Sequence, residues 1–138
     1  MLLSVHLAIL SVTLVGIILA DHDGYLWIRG KKATLNRGRI ALYHRWVGVG
    51  LLGMIISGLF LFWPMREYLL TQNPKFVMKM MFVVMLVINS FAIGSLSRTA
   101  TEKAFSSLTP REKAPFLVSG ALSGLCWIGA ILLGFLLF

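Results

Sequence analysis

A chain of 138 residues that is 58% hydrophobic and only 13% charged is not built like a soluble domain, where roughly 45–50% apolar and about a quarter charged is usual. The mean hydropathy is +0.86, and the apolar residues gather into four blocks: 2–20, 40–63, 76–96 and 116–138. The net charge of +8 would suit nucleic acid, but the Lys and Arg residues lie in short connections that offer no folded reading surface, so nucleic acid is excluded as a partner.

Each block has about the 20 residues that a helix needs to cross roughly 30 Å of hydrocarbon. The runs at 14–20 and 80–88 are apolar without interruption, whereas the strands of a membrane barrel alternate over about ten positions. Backbone groups in lipid must then be paired within each segment, which requires helix. The expectation is an all-α membrane protein, a four-transmembrane-helix bundle of antiparallel up-down topology. It forms one transmembrane domain with spans at about 2–28, 38–63, 75–96 and 114–138.

The first block is read as a retained span and not a cleaved leader. It is long, no Lys or Arg precedes it, and Ile18 stands where a small residue would precede a cut at Ala20. Asp21, His22 and Asp23 follow it, and Tyr25-Leu-Trp-Ile extends the helix to about Arg29. The first connection and its edges carry Arg29, Lys31, Lys32, Arg37, Arg39 and Arg45. With Trp27 and Trp46 on either side, residues 29–39 should attract anionic headgroups of the bilayer.

In the second block, His44, Leu51, Ile55 and Phe62 make one stripe, at about 100° per residue. Gly50, Gly53 and Ser57 lie on the opposite side, where small residues admit a neighbouring helix. Trp63-Pro64 ends this helix, and Asn73-Pro74 opens the third with proline in its first turn. Between them lies a connection poor in Lys and Arg (Arg66, then Lys75 and Lys79). Lys79 is flanked by apolar turns, Asn89 is read as a helix–helix hydrogen bond, and Met78, Met81 and Met85 fall on one stripe, read as packing.

The third connection holds Arg98, Lys103, Arg111 and Lys113. Loops one and three therefore carry most of the positive charge, which puts 29–39 and 98–113 in the cytoplasm and both termini outside. Thr109-Pro110-Arg111-Glu112 has the spacing of a helix start, and Phe105 and Leu108 suggest a short surface helix before it. The fourth span carries the Gly120–Gly124 pair, a close-packing spacing, and Cys126, the only cysteine. With Gly53 and Ser57, that pair could dock another helix, a second copy in a homo-oligomer, or a larger membrane complex.

Ionisable side chains at membrane depth are costly and point to function. Height sorts them into two groups. His6 and Lys79 share the outer level, while Asp21, Asp23 and His44 share the inner one, about 22 Å from His6 at helical rise. The outer pair could bind a ligand, with His6 on a haem iron or metal and Lys79 on a carboxylate. The inner trio could hold a metal or serve as part of a metal-ion or proton-coupled transport component; its bland alternative is pairing with Arg29 or Arg45. A third class of function is a non-catalytic accessory subunit. Enzyme motifs such as CxxC, HExxH or a glycine-rich phosphate loop do not occur.

Across roughly residues 3–95 the ordering of these features resembles the small four-helix bacterial membrane proteins that include the HemJ-type protoporphyrinogen oxidases and the CopD-like copper-resistance proteins. The residues that carry the resemblance are His6 with Gly16 ten positions on, Trp46-Val-Gly-Val-Gly, Ile56-Ser57-Gly58, and Asn73-Pro74-Lys75-Phe76 leading into Lys79-Met80. The resemblance implies a bacterial inner-membrane location, bound haem b, and a functional role for His6 and Lys79. The chain departs from the HemJ pattern at Asp21-His22-Asp23, where a Pro-Arg-like element would stand, and in its fourth helix.

Overall fold

The computed structural model describes residues 1–137; Phe138, the end of the expected fourth span, lies outside them. Helix α1 runs Leu2–Ile28, α2 Arg37–Phe62, α3 Arg66–Gln72, α4 Pro74–Glu102 and α5 Pro110–Leu137, with single 3-10 turns at Trp63–Met65 and Phe105–Ser107. No strand occurs among the described residues. Four helical stretches are long and apolar enough to cross a membrane.

Local chemistry sets the helix ends. The Asn36 side chain accepts from the Arg39 amide and starts α2. Pro74 sits at the first position of α4, where a missing N–H is harmless. Thr109 begins α5, its carbonyl accepting the Glu112 amide at 3.0 Å. Helix α4 runs on to Glu102, past the expected end at 96, because its polar last turns stay helical and bury Ala100. The expected surface helix at 105–108 is a single 3-10 turn, and Leu108 is buried.

Helix α1 packs along α2, and α4 along α5; α2 and α4 touch more lightly. The α1–α2 seam pairs His6 with Ser57, Thr13 with Gly50 and Gly16 with Trp46, so residue numbers rise along one helix as they fall along the other. The α4–α5 seam does the same through Lys79 with Gly134, Phe82 with Gly129 and Asn89 with Ser119. Asn89 Nδ2 donates to the Ser119 carbonyl at 3.1 Å, and the Ser119 hydroxyl returns a bond to Asn89 Oδ1 at 2.8 Å. This closed pair satisfies both buried side chains, as an apolar interior requires.

Two apolar clusters form. One, built on Leu10, Leu51, Leu86 and Trp127, fills the middle of the four long helices. The other joins the first and third connections: Trp27, Leu35, Ala100 and Leu108 pack together, the Trp27 indole donates to the Lys103 carbonyl at 3.0 Å, and the Leu35 amide donates to the Ala100 carbonyl at 3.0 Å. The outward faces are studded with large apolar side chains, among them Val49 at 71% exposure and Phe91 at 79%.

Asp23 sits just above this second cluster. Its carboxylate meets Lys32 at 3.0 Å and Arg39 at 3.2 Å, with the Asp23 side chain 5% exposed and the two cations 32% and 49% exposed. Breaking a fully buried pair costs about 3–5 kcal/mol. Here the cations can turn to water, so Asp23→Asn should cost nearer about 1 kcal/mol. Thermal unfolding in detergent reads this, and an unchanged midpoint would show that the pair contributes nothing.

Candidate functional site

An apolar cavity of about 440 Å³ lies between the first turns of α1 and α4 and the last turns of α2 and α5. Small-molecule sites commonly span roughly 300–1,000 Å³. All four long helices contribute to its wall, and so do Leu69 and Leu70 of α3. The stacked rings of Phe62 and Phe76, 5.0 Å between centroids, tie the end of α2 to the start of α4 beside it.

Among the described residues only two titratable side chains line this cavity: His6 from α1 and Lys79 from α4. Both are partly buried. Each is placed by a small residue on the neighbouring helix. His6 Nδ1 lies 2.7 Å from the Ser57 hydroxyl, which also contacts the Gly53 carbonyl at 2.8 Å. The Lys79 ammonium rests against α5 at Gly134, 3.2 Å from where a Cβ would stand. Among the described residues, neither a carboxylate nor a carbonyl lies within hydrogen-bonding reach of Lys79. Among the described residues the wall thus offers one imidazole, one cation without a partner and a large apolar surface, a set suited to a flat or elongated apolar molecule that bears a carboxylate.

The inner residues do not assemble in this way. No group of three or more His, Cys, Asp or Glu side chains able to hold a metal ion occurs among the described residues. Asp23 is taken by Lys32 and Arg39, not by Arg29 or Arg45. Asp21 and His22 are exposed, and His44 is exposed beside Gly94 of α4. The separation has a simple cause: Asp21 and Asp23 are two residues apart on one helix and so face different ways. Met78, Met81 and Met85 all face outward.

The small residues also sort differently from one another. A Cβ on Gly53 would meet Ile9 of α1 at 3.4 Å, an ordinary contact. Ser57 serves His6 as well as packing. Among the described residues nothing lies within 4 Å of a Cβ on Gly120 or Gly124, so that pair makes no close contact with another helix of the described chain. Comparison with protein-family models, with curated proteins and with solved structures finds no match.

Proposed function

We propose that the protein is an integral membrane protein with its four long helices in antiparallel up-down order, and that it binds haem b or a related porphyrin in the cavity at its outer end in a redox-linked role. The observation that carries this reading is the pairing of His6 and Lys79 as the only titratable groups, among the described residues, in one apolar cavity, brought there from the first and third long helices. His6 and Lys79 would hold the group, His6 through Nε2 and Lys79 through a carboxylate. Bound haem would supply one-electron chemistry; the protein would orient it and surround it with an apolar wall to which Leu69 and Leu70 contribute.

The opposed residue order along both seams supports the up-down arrangement. The exposed apolar faces support insertion, since water would not tolerate so many of them. Both termini then lie outside. The basic residues of 29–39 and 98–113 face the cytoplasm of a bacterial inner membrane, where anionic headgroups would meet them.

The test is an absorption spectrum of the protein purified in mild detergent, before and after addition of haem. A Soret band that saturates at one haem per chain is expected. Absence of a saturable band after haem addition would end the proposal.

A further inference from the structure

Ser57 has one hydroxyl proton and three close neighbours: the Gly53 carbonyl at 2.8 Å, the Met54 carbonyl at 3.2 Å and His6 Nδ1 at 2.7 Å. The two carbonyl oxygens can only accept. If Nδ1 carried a lone pair, the hydroxyl would have to give its proton to the ring. Its oxygen would then face the Gly53 oxygen at 2.8 Å with no proton between them. If Nδ1 carries a proton, both contacts become hydrogen bonds. Nδ1–H donates to the Ser57 oxygen, and the Ser57 hydroxyl donates one turn back to Gly53, the ordinary habit of serine inside a helix. Two bonds against one decide between them, because an apolar wall supplies no water to replace the missing partner.

That tautomer leaves the lone pair on Nε2. Nε2 has no protein partner among the described residues, and the ring lines the cavity. On its α2 side the ring lies beside Gly58, where a Cβ would stand 3.7 Å from ring Cε1. Among the described residues the contact with Ser57 is the one hydrogen bond that orients the ring.

We propose that Ser57 is a positioning residue that holds His6 in the Nδ1–H form and presents the Nε2 lone pair to a metal in the cavity. This rests on the haem reading for the identity of the metal centre, but not for the tautomer. An acceptor behind a metal-ligating imidazole fixes the tautomer and raises ligand basicity, and its loss typically lowers metal affinity about 10–100-fold.

The experiment uses the His22→Gln, His44→Gln double variant of the full chain, which leaves His6 as the only histidine. Ring-nitrogen ¹⁵N NMR is recorded without haem, at a pH where imidazole is neutral. A protonated Nδ1 and an unprotonated Nε2 are expected. Ser57→Ala should average the two nitrogens, and Ser57→Thr, which keeps the hydroxyl, should retain the separation. An Nε2–H ring, or spectra identical in the Ser57→Ala variant, would overturn the assignment of Ser57. Haem titration forms the second arm: Ser57→Ala should bind about 10–100-fold more weakly, and Ser57→Thr close to the parent. The expected tautomer with no haem binding by the parent would overturn the haem reading and leave the tautomer standing. Haem binding with the opposite tautomer would do the reverse.

Discussion

Exchanging Lys79 for methionine should stabilise the ligand-free bundle and weaken haem binding about 10–100-fold, two effects of opposite sign from one substitution. Among the described residues the Lys79 ammonium has no ion-pair partner, and it lies in an apolar wall against Gly134. A lysine at the centre of a membrane helix costs about 2.5–3.5 kcal/mol. Near a helix end the cost is smaller, so methionine, of similar length and apolar, should add about 1–2 kcal/mol of stability. A charge-assisted hydrogen bond to a carboxylate contributes about 1.5–3 kcal/mol, which sets the size of the binding loss. Haem dimethyl ester, which lacks free carboxylates, completes a cycle. The wild-type protein should bind the ester as weakly as the Lys79→Met variant binds haem, and the variant should treat acid and ester alike. Equal haem affinity in the two proteins would remove Lys79 from the site.

The second large effect belongs to Gly50. A Cβ there would overlap the Thr13 hydroxyl and stand 2.8 Å from the Thr13 methyl. Thr13 has little freedom to yield: it is 1% exposed, and its hydroxyl donates to the Ile9 carbonyl at 2.7 Å. Gly50→Val must therefore push α1 away from α2. Overpacking of this kind costs about 1–3 kcal/mol, occasionally more. His6 rides on α1 and Ser57 on α2, so the haem site should be lost with the seam. Gly124→Val provides the contrast, because nothing lies within 4 Å of its Cβ position, and a change within about 0.5 kcal/mol is expected. Unfolding midpoints in detergent compare the two. Equal destabilisation would mean that the Gly124 face is as closely packed in the folded protein as the Gly50 seam.

The four long helices are legible in the sequence because each is a continuous apolar run of about the length that a lipid-crossing helix needs. Helix α3 is not. A seven-residue amphipathic helix inside a connection changes hydropathy too little to register, although the adjacent Leu69 and Leu70 between polar neighbours hint at a buried face. The end of α4 was also hidden, since residues after 96 leave the apolar pattern while remaining helical and packing Ala100 against Trp27.

Candidate site residues were legible to the extent that they were rare. Polar groups within the apolar blocks are few, so His6 and Lys79 stand out, and the fold brings both to one cavity. What opposes each of them could not be read. Angular arithmetic gives the face of one helix and is silent about its neighbour, so neither the contact of Ser57 with His6 nor that of Gly134 with Lys79 can be read from it. Spacing alone left open whether Gly120–Gly124 meets a helix of the same chain or another copy; among the described residues the tight approaches are at Gly50 and Gly129. Asp23 illustrates the reverse case: charge suggested a partner in the basic loop, but only the folded loop shows that Lys32 and Arg39 reach it.

Haem titration of variants that each lack one histidine asks most directly whether the cavity with His6 in its wall is the ligand site. His6→Ala should lose the saturable Soret band, while His22→Ala and His44→Ala should titrate like the wild-type protein. A band that survives in His6→Ala, or one that disappears in His44→Ala instead, would contradict the account.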